Sequence, residues 1–299
     1  MASRFDIERF MEQSGAVDLH DIPWEDVPKY PLSDEALRAV RYFMTTESAT
    51  FYYLRSLIQT KPAMSEPEFA PFLCAWAFEE EFHGRAFLKF MRAYGVKVDD
   101  TYRSEMYSHR SGSERTEEVG QFLLSMAFPE AWPAAHMAWG AIQEWTTYIA
   151  YNQLIERTGH PVLETICRRI MKQELRHFSF YFHQAEERLR ESKVAQVLTA
   201  NTLKVGWTPV GDGMSSKSDV AHALQFLFDG ADGTVIATIE KRIRQLPGLE
   251  WFDLLSKYVA KNGIPAAPKS WFGPARVTGT ASSASLIDVP LALMTNAAV

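Results

Sequence analysis

Residues 73–84, Leu73-Cys-Ala-Trp76-Ala-Phe-Glu-Glu80-Glu-Phe-His83-Gly84, decide the fold. They lie inside a longer apolar stripe of Phe69, Leu73, Trp76, Glu80, His83, Phe87, Phe90 and Tyr94, whose three- and four-residue steps predict one face of a helix. On that face Glu80 and His83 stand at i and i+3, one turn apart, where two core residues belong.

The same substitution recurs along the chain. One stripe runs Val40, Phe43, Glu47, Phe51, Leu54, Ile58, and another runs Met137, Ala141, Glu144, Tyr148, Tyr151, Ile155. A fourth, Leu163, Ile166, Ile170, Glu174, His177, Tyr181, carries a second Glu-x-x-His. With eight histidines and many glutamates present, any one member alone reads as an ordinary solvated or paired helix residue. The order Glu, Glu-x-x-His, Glu, Glu-x-x-His, one unit per helix and each in mid-stripe, is what carries weight.

Four carboxylates converging in one core repel each other, and each costs several kcal/mol to bury unpartnered. Two divalent cations neutralise Glu47, Glu80, Glu144 and Glu174, with His83 and His177 binding as neutral imidazoles. This is the ligand pattern of two-metal carboxylate helix bundles. Hard oxygen ligands with one imidazole per metal suit two Fe ions, with Mn possible, better than a closed structural zinc site. The expected fold is all-α: a ferritin-like four-helix bundle with a di-metal core and additional flanking helices.

The 299 residues suffice for a sizeable core, and the net charge of -6 argues against general nucleic-acid binding. No apolar run is long enough for a transmembrane segment, and Met1–Phe10 lacks a signal-peptide core. Cys74 and Cys167 read as reduced core residues of a cytoplasmic protein. The expected organisation is an irregular N-terminal arm (1–32), a helical domain (33–262) and a tail (263–299). Ser33 caps a first helix running to about Thr60, and Ser65 with Glu68 forms a capping box for the second, which Gly95 stops. Pro133 and Pro161 open the third and fourth, and Gly159 separates them. A connection of about forty residues, with an extra helix near Thr116–Phe128, spans the bundle between the second and third. Shorter helices are expected near 217–228, 233–245 and 250–261.

Four stretches resemble the soluble acyl-carrier-protein desaturases, over roughly residues 35 to 190: Met44-Thr-Thr-Glu47-Ser-Ala with Tyr53, Trp76-x-x-Glu-Glu80-x-x-His83-Gly84, Gln143-Glu144-x-x-Thr147, and Cys167-x-x-Ile170-x-x-x-Glu174-x-Arg176-His177 with Tyr181. The resemblance implies a homodimer whose di-iron site reduces O2, with electrons from a ferredoxin-type donor. It would insert a cis double bond into a saturated chain carried by acyl carrier protein or as another acyl thioester. Ser48 and Gln173 stand where that family places acids, and Phe82 where it places Arg, positions that tune ligands. Thr147, one turn from Glu144, is the candidate catalytic hydroxyl, unless it bonds back to the helix carbonyl four residues earlier. Phe51, Phe87, Tyr148, Tyr151 and Phe178 are candidates for an acyl channel or for plain core packing. Trp76 reads as an electron conduit or a core aromatic. Arg168, Arg169, Lys172, Lys241, Arg242 and Arg244 could meet an acidic carrier or form solvated faces. Other readings are a related hydroxylase, an N-oxygenase, disfavoured because Ile170 stands where its third histidine would, or a non-catalytic lipid-binding relative with an altered metal site.

Overall fold

The computed structural model describes residues 5–108, 120, 123–228 and 233–272, and every regular element among them is helical. The four ligand-bearing stripes become α2 (Asp34–Ser48), α5 (Phe69–Ala93), α7 (Trp132–Thr158) and α8 (Pro161–Glu191). Their ends follow the sequence signals: Ser33 Oγ accepts from Ala36 N at 3.2 Å, and Gly95 turns the chain after α5 at φ 93°. Gly159, in the left-handed region, caps α7, and His160 Nδ1 accepts from Leu163 N to open α8, with Pro161 in the first turn. A two-residue link thus makes α7 and α8 a hairpin packed along most of its length, while α2 packs along α5. Between α5 and α7 the long connection carries a short helix, α6 (Tyr102–Ser108); of the helix expected over Thr116–Phe128, residues 123–127 are helical, while residues 116–119 and 121–122 lie outside the described residues, as does the tail beyond residue 272.

Several expectations are corrected. The first helix ends at Ser48 and resumes as α3 (Thr50–Leu57), because Ala49 departs from helical hydrogen bonding. Neither Gly nor Pro marks that break; it coincides with Ser48 pressing so tightly on α5 that a Cβ on Gly84 would lie 2.4 Å from Ser48 Oγ. Ser65 is no cap: it ends a short helix, α4 (Lys61–Ser65), and its hydroxyl bonds back to Lys61 O at 2.9 Å. The N-terminal arm is not irregular, since Asp6 caps α1 (Ile7–Gln13) and a 3-10 turn spans Trp24–Lys29. Phe10, Val17, Ile22 and Val27 anchor this arm in the core. Sequence reasoning missed α9 (Lys193–Gly206), although Ser192 caps it and Ala195, Thr199 and Leu203 form its buried stripe. The remaining helices, α10 (Lys217–Phe228), α11 (Thr234–Ile243) and α12 (Leu254–Lys261), fall close to where they were expected. Cys74 is exposed rather than buried, while Cys167 is in the core.

Candidate metal centre

All six expected ligands are buried and face one another at the centre of the bundle. Their atoms form two groups, Glu47, Glu80, His83, Glu174 and Glu80, Glu144, Glu174, His177, each within a 4.8 Å span. Glu80 and Glu174 belong to both, so the two Glu-x-x-His helices supply the shared carboxylates, and α2 and α7 each supply a terminal one. Both imidazoles turn Nδ1 inward: His83 Nδ1 lies 3.1 Å from Glu174 Oε1, and His177 Nδ1 lies 3.1 Å from Glu80 Oε1. Glu80 Oε1, both oxygens of Glu174 and both Nδ1 atoms are buried without hydrogen-bond partners. Such convergence of orphaned donor atoms is what a pair of bound cations resolves, and the set fits two divalent ions. Burial, reinforced by the charge of Glu80, pushes the Glu47 carboxyl well above the usual range, and burial does the same at Glu144. Without cations this cluster holds protons instead.

The outward nitrogens show how the ligands are oriented. His177 Nε2 donates to Glu79 Oε2 and His83 Nε2 donates to Gln173 Oε1, each at 2.7 Å. The Gln173 amide cannot be reversed, because its nitrogen donates to the Gly15 carbonyl at 2.8 Å and to Glu79 Oε1 at 3.0 Å, both pure acceptors. This fixes the proton on Nε2 of both histidines and leaves Nδ1 free to bind metal. Burial disfavours the Glu79 charge, but His177, Arg176 and the Gly15 N–H outweigh it and hold its carboxyl below the usual range. The N-terminal arm therefore closes the outer side of the site.

Gln173→Glu would set a second carboxylate against Glu79 and forfeit the bond to Gly15. We expect it to destabilise the metal-free chain by about 2 kcal/mol in urea unfolding; unchanged or increased stability would contradict this relay. The terminal carboxylates are also held, Glu47 by the Tyr151 hydroxyl and Glu144 by Trp76 Nε1 at 3.1 Å. Trp76 is therefore a donor to a ligand, a role its place in an apolar stripe did not reveal. Ser48 lies between Gly84 and the Tyr102 hydroxyl, 3.4 Å away, where an acid would not fit. Phe82 is partly buried against the edge of the core and packs on half-exposed Phe78.

On the opposite side, a cavity of about 210 Å³ reaches Glu47, Glu80, Glu144 and Glu174. One wall is the stripe Trp132, His136, Trp139, Gly140, Gln143, Thr147 of α7, about 20 Å from end to end at the helical rise. Facing it are Thr46, Thr50, Tyr53 and Leu57 of α2 and α3, and residues 208–214 close the third side. That loop sits tightly on α2, with Tyr42 Oη donating to the Val210 carbonyl. A larger and more open groove of about 480 Å³ lies between α2, α10 and residues 262–271, away from the carboxylates.

None of the five aromatic channel candidates lines the 210 Å³ cavity. Phe51 is half-exposed, Phe87 and Tyr151 stack in the core beside Phe43, and Trp145 packs against both Tyr148 and Phe178. Their helical spacing placed them beside ligands but could not say which side of the bundle opens. Thr147 does line the cavity, and it is Thr146 that bonds back to a helix carbonyl, Ile142 O, at 2.6 Å. His136, which sequence reasoning did not single out, lines it too. The basic groups are largely committed internally: Arg168 to Glu164, Arg169 to Asp21, Arg244 to Glu240, and buried Arg242 over the Trp145, Phe178 and Phe182 rings. No helix among the described residues is long and apolar enough to cross a membrane.

Gly140 sets the bore of the cavity, because a Cβ there would lie 2.3 Å from the Tyr181 ring. Gly140→Ala must push Tyr181 aside. We expect a loss of about 2 kcal/mol in unfolding free energy and weaker uptake of a fluorescent fatty acid; unaltered uptake would show that the cavity does not narrow there.

Among known proteins, a variant of an R2-like ligand-binding oxidase with an anaerobically reconstituted Mn/Fe cofactor shares the fold, with a TM-score of 0.53 at 16% identity over 87% of this chain and 92% of that one. The bundle is thus ferritin-like, as expected. No curated protein matches the sequence. The family model described as "Fatty acid desaturase" matches residues 28–204, which hold α2, α5, α7 and α8 and all six candidate ligands. By that match, over more than half of its length, the chain belongs to the fatty acid desaturase family.

Proposed function

We propose that this protein is an O2-dependent desaturase that introduces a cis double bond into a saturated fatty acyl thioester. The observation that carries the reading is the long, narrow cavity running past the four glutamates, with an aromatic and apolar wall opposite the histidines. A saturated chain offers no polar handle near the reacting carbons, so selectivity must come from a channel that fixes which methylenes face the metals. Glu47, Glu80, Glu144, Glu174, His83 and His177 would hold two iron ions, or manganese in their place. When bound, the metal pair supplies the capacity to reduce O2 with two electrons from a donor.

The chain's own residues do the rest. Glu79, Gln173, Trp76 and Tyr151 orient the ligands, and the loop 208–214 limits water access to the cavity. Thr147, on the cavity wall one turn from Glu144, holds or passes a proton beside the metals. The proposed partners are a ferredoxin-type donor, acyl carrier protein as the carrier, and a second copy of the chain as a homodimer, in the cytoplasm.

The test is to load purified protein with ferrous iron, supply a reductase and ferredoxin with saturated acyl thioesters of several lengths, and analyse the products by mass spectrometry. Loss of two hydrogens from the acyl chain is expected. Hydroxylated products would favour a related hydroxylase, and unchanged chains at every length would overturn the assignment.

A further inference from the structure

His136 lies two turns before Glu144 on the same face of α7, about 12 Å along the helix at the usual rise. It lines the cavity that reaches the carboxylates, its ring packs edge-on against Tyr181, and its Nε2 is buried without a hydrogen-bond partner. Burial alone depresses its pKa to about 4, so the imidazole is neutral near physiological pH. Its neighbours on the wall are Trp132, Ala135, Trp139 and Gly140, which would give a water at Nε2 few of the several partners a buried water needs. An all-methylene chain would leave the imidazole nitrogen desolvated, at a cost a complementary group on the ligand removes. Gln143 Oε1 is also unpartnered, but it only accepts and sits beside ligand Glu144.

We propose that His136 is a specificity-determining residue: its Nε2–H donates to the thioester carbonyl of the acyl substrate and so measures the distance from that carbonyl to the methylenes facing the metals. This rests on the desaturase reading. An extended chain advances about 1.2 Å per bond, so the 12 Å separation corresponds to on the order of ten bonds. The double bond is then counted from the carbonyl and not from the methyl end, and the substrate class is a long-chain thioester with its carbonyl drawn inside the cavity.

Two measurements test it, one independent of activity. First, the infrared carbonyl stretch of carbon-13-labelled palmitoyl-coenzyme A is recorded on the full chain. The expected result is a shift to lower frequency in wild type, absent in His136→Leu and kept in the donor-retaining His136→Gln. Second, double-bond position is mapped in the iron-loaded protein with lauroyl, palmitoyl and stearoyl thioesters. Wild type should place it at a constant count from the carbonyl, whereas His136→Leu should give mixed positions with KM raised about tenfold or more, and His136→Gln should restore one position. If His136→Leu leaves both the stretch and the product position unchanged, the proposal fails. If wild type forms no double bond while the carbonyl shift still depends on His136, the desaturase reading fails and the carbonyl contact stands.

Discussion

Glu174→Gln is expected to abolish loading of both metals and to reduce O2 consumption to background. Glu174 is fully buried and belongs to both ligand groups, so removing its charge weakens both sites at once. Changes to groups that merely orient a ligand cost 10–100-fold in metal affinity, and loss of a shared ligand should cost more than about 100-fold. Glu47→Gln is the informative contrast: Glu47 belongs to one group only, so that variant should still retain one ion per chain. The amide keeps the shape of the carboxylate, so the metal-free variant should melt cooperatively with the same helical circular dichroism. Elemental analysis with thermal melts, with and without ferrous iron, decides. Two tightly bound ions in Glu174→Gln would mean that the shared position has been misread.

Acid is expected to strip the site, by about 100-fold in affinity for each pH unit below neutral if loading displaces two protons. In the metal-free chain Glu47 and Glu144 are raised well above the carboxylate range, mainly by burial. Burial opposes charge on His83 and His177, yet the facing carboxylates overcome it and raise both well above the usual imidazole value. Such groups bind more protons folded than unfolded, so the stability they contribute is present at low pH and lost as pH rises through their folded values. Burial also disfavours the Glu80 charge, but the adjacent Glu47, His177 and His83 outweigh it and hold its carboxyl low, and its contribution is lost as pH falls. Glu79, also held low, acts in the same sense as Glu80; four raised groups oppose these two, so the metal-free chain should lose stability as pH rises above the carboxylate range, while added ferrous iron reverses the trend. Metal titrations and melts across pH measure both slopes; stability of the metal-free chain that rises with pH would refute the proton-holding cluster.

The six residues proposed as metal ligands could be picked out from residues 40–181 because each replaced an apolar residue on a periodic stripe, and periodicity is a local property of the chain. The caps at Ser33, Gly95 and Gly159 were legible for the same reason. The break at Ala49 was not, since it arises where Ser48 meets Gly84 on another helix. Nor was the folded arm, whose Gly15 joins Glu79 and Gln173 across more than sixty residues of sequence.

The sequence by itself determined that six buried polar groups would sit on four helices in an order that calls for two cations, because helical spacing decides which residues share a face. Only the tertiary structure decided that Glu80 and Glu174 stand in both candidate ligand groups, that Glu79 and Gln173 hold the histidines, and that the cavity opens along His136 and Thr147 rather than along Phe87 and Phe178. Those outcomes depend on how helices rotate and close against one another, and packing between distant segments settles that rotation.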